Sequence, residues 1–171
     1  VIGLEIGQAL ARLDVDVTGV DMAEQIGGIE DPEILQSVIE TLAREFPLWL
    51  GEPAGVTEED GKLRVTAGDE AVLVDKILVS MGRAPNVAGR KLENLGLELD
   101  QQGVPIHNPN TMQCGDQPVF LAGDVSGNRP IMHEAGDEGR IAGINAATGN
   151  IQAYKRKTPL AITFSDPNIC T

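Results

Sequence analysis

Apolar side chains at Ile2, Ile6, Ala9, Leu10 and Leu13 recur at i, i+4, i+7, i+8 and i+11, which predicts one face of a helix over about Gly3 to Leu13. Val15, Val17 and Val20 then mark a short strand that ends in Asp21. A second helix follows. Asp31 reads as its N-cap and Pro32 as its first position, with Ile34, Leu35, Val38, Ile39 and Leu42 on one face until Pro47 stops it. From Leu48 to Val79 the pattern shortens to strands separated by turns at Asp60-Gly61 and Gly68-Asp69, a small antiparallel meander. The run Ile77-Leu78-Val79 lacks alternation, as in a strand buried on both faces, and ends at Gly82.

Beyond a loop with Pro85, Asn86 and Gly89 that marks a crossing between domains, a hairpin-like stretch through Gly103 leads to a second buried strand, Val119 to Ala122, ending in Gly123-Asp124. A helix is predicted from about His133 to Ala147, where Ala135, Gly139, Ala142 and Ala146 allow a sheet or helix to approach closely. Gly149 closes it. The tail opens with Lys155, Arg156 and Lys157, then alternates Leu160, Ile162 and Phe164 as one strand of a further domain. Strand and helix alternate along much of the chain, so the fold class is α/β.

Composition narrows the function. The 171 residues are 42% apolar and 23% charged, a soluble globular balance. No run approaches the roughly 20 apolar residues of a membrane span, and nothing after Val1 resembles an export signal, so no membrane partner is expected. With 13 basic and 26 acidic side chains the net charge is −13, which repels polyphosphate and sets nucleic acid aside as a partner. Cys114 and Cys170 form no CxxC pair or zinc spacing, and His107 and His133 stand alone, so no metal site is expected and a reducing, cytoplasmic compartment is. The 20 glycines exceed the roughly 12 of ordinary usage, which suits turns that bring backbone close to a ligand.

Two carboxylates attract attention. Gly3 and Gly7 lie on the first helix, where Gly3 could be only the last glycine of a GxGxxG turn whose other two are absent from the chain. Asp21 follows Gly3 by 18 positions at a strand end, where an acidic side chain accepts from an adenosine ribose 2′-hydroxyl; it could equally be a solvated aspartate of an ordinary α/β unit. No Arg or Lys between Asp21 and Ile29 offers to receive a 2′-phosphate, which favours NAD over NADP. Asp124, past an apolar run and a glycine, suits a sugar-like hydroxyl, or serves as a turn-former with Ser126 and Gly127. His133 either faces a ligand or meets solvent, and the Glu58-Glu59-Asp60 cluster reads as a solvated hairpin tip.

Taken in order, Val1-Ile-Gly-Leu-Glu-Ile-Gly7, Val17-Thr-Gly-Val-Asp21, Ile77-Leu-Val-Ser-Met-Gly-Arg-Ala-Pro-Asn86, Val119-Phe-Leu-Ala-Gly-Asp124, Met132-His-Glu-Ala135 and Thr158-Pro through Phe164-Ser-Asp-Pro167 resemble the class I pyridine nucleotide-disulfide oxidoreductases, and among these the dihydrolipoamide dehydrogenases. The resemblance implies a Rossmann-like NAD-binding domain with an inserted antiparallel meander over residues 1–82, lacking its first strand. The returning part of an FAD-binding domain would occupy 83–150, and the start of a dimerisation domain 151–171. It places Gly3, Glu5, Asp21 and Gly82 against NAD, and Asp124 with Ile131, Met132 and His133 against FAD. Apart from the resemblance, Glu5 would simply favour the positive end of its helix.

The same likeness implies an interior portion of a homodimeric enzyme that passes electrons from dihydrolipoamide through a disulfide and FAD to NAD, with 2-oxo acid dehydrogenase complex components as partners. The family's redox cysteines and acid/base histidine match no residue here, so the chain alone is expected not to turn over. Without a first strand, its sheet edge is expected to dimerise or to displace the first helix. Mercuric and glutathione reductases of the same fold remain open, as do a non-catalytic nucleotide-binding module and an α/β methyltransferase.

Overall fold

In the computed structural model, which describes residues 1–171, Asp31 sits in extended backbone and its side chain accepts from the Glu33 and Ile34 amides at 2.9 and 3.1 Å. With Pro32 supplying a pre-set φ at the first position, this starts helix α2 (Pro32–Leu42), as the sequence predicts. Helix α1 (Ile2–Ala11) precedes it, and α2 connects two short strands, β1 (Gly19–Asp21) and β2 (Leu48–Leu50). These pair in parallel with Gly19 opposite Leu48 and Asp21 opposite Leu50. Strand β2 thus belongs to a β-α-β unit and not to the meander predicted from Leu48 onward, because α2 is the crossover a parallel pair needs. The antiparallel sheet is β3 (Gly55–Glu59), β4 (Lys62–Ala67) and β5 (Glu70–Val74), in that order, turning at Asp60-Gly61 and Gly68-Asp69.

The chain divides into two compact units, one of Val1–Met81 with Leu160–Thr171 and one of Gly82–Pro159. In the first, Ile26, Ile29, Leu42, Phe46, Val65, Ala67 and Ile169 are buried. The tail forms a hairpin, β6 (Ile162–Thr163) with β7 (Ile169–Cys170), and not a single strand. It is gripped by α1. Gln8 donates to the Asp166 carbonyl at 2.8 Å and accepts from the Asp166 amide at 2.7 Å, imitating with one side-chain amide the two bonds of a neighbouring strand. Arg12 joins Glu45 at 2.7 Å and Asp166 at 2.9 Å, and its hydrogen bond holds the Glu45 carboxyl below its ordinary value.

Two expectations for this unit are corrected. The buried positions of α1 are Gly7 and Gln8, while Ile2, Ile6 and Leu13, expected on the packed face, are exposed. Periodicity finds the helix but cannot tell which neighbours exist, and here the partners of α1 are Phe46 and the tail. Ile77-Leu78-Val79 is neither strand nor buried; Val79 is 67% exposed. An extended run becomes a strand only when another backbone pairs with it, and none does.

The second unit holds α3 (Met132–Thr148), ended by Gly149 in the left-handed conformation at φ 64°. Its buried residues are Glu134, Glu138, Ile141 and Asn145, on one face. The small-residue face expected to admit a close neighbour is not packed: a Cβ added at Gly139 or Gly143 would meet nothing within 4 Å. The buried apolar residues of this unit are Ile141 on the helix and Val104, Met112 and Cys114 outside it. Asn145 ties the layers together by donating to the Thr111 and Gln152 carbonyls at 3.0 and 2.9 Å and accepting from the Gln152 amide at 3.0 Å. Val119 to Ala122 is half-buried and makes one isolated bridge, Gln113 to Phe120, in place of the predicted strand. Met112 at φ 62° interrupts the partner segment, so no continuous ladder forms.

These packing roles give an ordering that urea denaturation measures: Leu42→Ala, at 1% exposure, lowers unfolding stability by about 3 kcal/mol. Asp31→Ala, which removes only a cap, lowers it by about 1 kcal/mol.

Candidate functional site

In the first unit, Asp21 is the last residue of β1, at the carboxyl end of a parallel pair, the rim on which α/β sheets bind ligands. It is exposed. One carboxylate oxygen, Oδ1, accepts from the Ala23 amide at 3.0 Å, an Asx turn that holds the side chain over the strand end, while Oδ2 takes no protein donor. Gly3 lies in the first turn of α1, where an added Cβ would come within 2.5 Å of Ser80 Oγ, so the 77–81 segment approaches α1 closely at this point. Glu5 is already engaged: its Oε1 accepts from the Phe164 amide at 2.9 Å. Its carboxylate therefore helps seat the tail, a role the sequence does not announce.

In the second unit, Gly82 has φ 85° with open space around it, and its neighbour Arg83 reaches Asp124 Oδ2 at 3.2 Å. Asp124 begins a single 3-10 turn, Asp124–Ser126. The preceding Gly123, at φ 84° and ψ −166°, occupies a region that only glycine adopts without strain, so the glycine is what lets the chain turn and present the aspartate. Asp124 keeps an exposed carboxylate with Oδ1 free of protein donors. Ile131 is the N-cap residue of α3, half-buried, while Met132 and His133 on its first turn are exposed, Met132 at 88%.

Behind this turn stands a cluster that sequence reasoning missed. Glu138, fully buried, accepts from the Gly123 amide at 2.8 Å and from Ser126 Oγ at 3.2 Å with Oε2, and from Arg156 at 3.3 Å with Oε1. Arg156 also hydrogen-bonds Glu134 and lies 3.8 Å from Asp137, while Arg129 reaches Glu134 at 3.4 Å. Burial pushes the Glu134 carboxyl up, but the hydrogen bond and charge of Arg156, with Arg129 beside it, outweigh that, and the group titrates below its ordinary value. A signal existed: Glu134, Glu138, Ile141 and Asn145 recur at i, i+4, i+7 and i+11 opposite the glycines.

Cofactor fit is tested by these observations. A free carboxylate oxygen at a parallel strand's end, with no basic residue beside it, suits a ribose diol. A second free carboxylate oxygen beside a glycine-only turn suits a polyol. Both fit, each in its own unit. Cys114 and Cys170 carry free thiols; Cys114 is buried, and burial pushes its thiol up, away from reactivity. No group of three His, Cys, Asp or Glu converges as a metal site, and no helix is long and apolar enough to cross a membrane.

A family model described as pyridine nucleotide-disulphide oxidoreductase matches residues 1–147. Dihydrolipoyl dehydrogenase 2 of Haloarcula marismortui is 34% identical over 179 residues, covering 99% of this chain and 37% of that protein. Mercuric reductase of Staphylococcus aureus is 29% identical over 180 residues, covering 99% and 32%. The crystal structure of LpdA from Mycobacterium tuberculosis superimposes with a TM-score of 0.83 at 26% identity, over 99% of this chain and 37% of that one. The HOCl-induced flavoprotein disulfide reductase RclA from Escherichia coli does so at 0.82 and 20% identity, over 99% and 39%, a likeness of fold. The chain thus spans well under half the length of the relatives it matches.

The buried cluster yields a prediction with a pH signature. Arg156→Met strands Glu134 and Glu138 without their cation and lowers stability at neutral pH by about 3 to 5 kcal/mol. Because the folded-state value of Glu134 is depressed, its contribution is present above the ordinary carboxylate range and is lost as pH falls through that depressed value. Denaturation of parent and variant across acid pH should therefore show the gap between them closing as pH drops.

Proposed function

Because the chain belongs to the pyridine nucleotide-disulphide oxidoreductase family, we propose that it is the nucleotide-handling part of a flavin-dependent dihydrolipoamide dehydrogenase, with NAD held by the first unit and FAD by the second. Bound FAD supplies two-electron redox chemistry between a protein disulfide and the nicotinamide. In this reading residues 1–82 form a Rossmann-like domain carrying an antiparallel meander, 83–150 the returning part of the FAD domain, and 151–171 the start of a dimerisation domain. The intact protein is a homodimer that works with 2-oxo acid dehydrogenase complex components.

The observation that carries this reading is Asp21 at the carboxyl end of β1 with Oδ2 open. That oxygen accepts from a ribose hydroxyl, and its negative charge repels a 2′-phosphate, which selects NAD over NADP. Gly3 of the first unit is a further NAD residue in this reading, and Gly82, at which the chain leaves that unit, is the other. Asp124 accepts from a hydroxyl of the flavin's ribityl chain through Oδ1, while Oδ2 is paired with Arg83 at 3.2 Å. Ile131, Met132 and His133 cover the flavin from the start of α3. Glu5 serves this site through the tail, whose Phe164 amide it binds. No cysteine pair in these residues exchanges with a disulfide substrate, so the 171 residues alone do not turn over.

A second reading, mercuric reduction, is favoured by the match to the Staphylococcus aureus enzyme. Assay of the full-length protein that contains this chain separates them: NAD reduction by dihydrolipoamide supports the first, and mercuric-ion-dependent oxidation of reduced pyridine nucleotide the second. A colourless protein with no flavin absorption band overturns both. Asp21→Ala is expected to raise KM for NAD about tenfold, the worth of a hydrogen bond to a charged group, while leaving kcat little changed. Steady-state kinetics with NAD and NADP checks both the size and the selectivity.

A further inference from the structure

The flavin reading assigns Asp124 its task but leaves open what fixes Asp124 in place. Its own contacts are weak determinants: Arg83 is 76% exposed on its side chain, and an exposed ion pair restrains little. The turn itself is 3 residues long and has no side-chain cap. From the interior side the picture differs. The Glu138 carboxylate takes donors from three places at once, Gly123 N at 2.8 Å, Ser126 Oγ at 3.2 Å and Arg156 Nη1 at 3.3 Å. Two of these flank Asp124 in sequence, and the third comes from the segment after α3. Bonds of this kind, to a charged and fully buried acceptor, are the strong ones.

We infer that Glu138, locked by Arg156, is a positioning residue for the flavin site: it clamps both ends of the Gly123–Ser126 turn and thereby fixes where the Asp124 carboxylate points. The inference rests on the reading of Asp124 as a flavin ligand. Glu138 touches no ligand itself. Its neighbour Asp137 provides the internal contrast, since it belongs to the same ion cluster, facing Arg156 at 3.8 Å and Arg140 at 3.2 Å, yet makes no bond to the turn. A residue that matters only for stability would act as Asp137 does. A positioning residue acts on the turn.

The test uses the full-length protein, stripped of flavin and titrated with FAD by quenching of flavin fluorescence, alongside hydrogen exchange of the flavin-free form. Glu138→Gln replaces one acceptor oxygen by an NH2 group that confronts other donors; it is expected to weaken FAD binding about tenfold and to speed exchange of the Gly123 amide. Asp137→Asn is expected to leave both near the parent values. Should Glu138→Gln fail to fold, Ser126→Ala, which removes one of the clamp's donors, is expected to weaken FAD binding about threefold. Parent-like FAD affinity in Glu138→Gln, or an equal loss in Asp137→Asn, overturns the inference. A parent protein that takes up no FAD overturns the flavin reading as well, and is told apart because Gly123 exchange still reports whether Glu138 holds the turn.

Discussion

One guanidinium organises the second unit. Arg156 stands among Glu134, Asp137 and Glu138, the first and last of which are nearly or wholly removed from water. Two buried carboxylates on adjacent turns of one helix repel each other and lose hydration, so their presence on the packed face of α3 is tenable only with a cation inserted between them. That constraint ties α3 to the segment after it, and through Glu138 to the turn before it. The arrangement is poor as a source of stability compared with apolar packing, yet it is directional in a way that Leu or Ile could not be. Its value lies in geometry: it fixes the backbone at Gly123 to within a hydrogen bond's tolerance.

This explains why the sequence was legible in some places and not in others. Asp31-Pro32 announces α2 because a cap and a pre-set φ are local chemistry, and Asp60-Gly61 announces its hairpin for the same reason. Asp21 could be placed because one strand and one carboxylate suffice to define a rim. Glu138 could not. Acidic residues on a helix read as its wet side, and three consecutive basic residues read as a solvated start of a tail; only the fold turns the middle one, Arg156, inward to meet them. The recurrence of Glu134, Glu138, Ile141 and Asn145 marks a face, but nothing in that pattern says that a distant arginine meets it.

The misread strands have a common cause as well. Ile77-Leu78-Val79 and Val119 to Ala122 have the composition of buried parallel strands, and composition of that kind records what a segment is selected to lie between. Pairing needs a second backbone in register. Where Met112 breaks the neighbouring segment at positive φ, the apolar run makes only one isolated bridge, and where no backbone pairs with it, the run stays exposed. The apolar residues Val79 and Met81 keep surface that the 171 residues do not cover, in a chain spanning about 37% of its Haloarcula relative.

The clasp between α1 and the tail bears on how Glu5 is to be understood. Residues 5, 8 and 12 lie along one side of the helix, and each grips the stretch from Phe164 to Asp166 through backbone groups, Arg12 through the Asp166 carboxylate as well. A backbone clasp of this kind is indifferent to the side chains it holds, so it preserves the path of the tail while leaving Phe164, at 70% exposure, free to change. A carboxylate already accepting a backbone amide is also held and oriented, with its second oxygen still able to accept. Structural and ligand-directed roles for Glu5 are therefore compatible: the amide that seats the tail also sets the direction in which the remaining lone pairs face.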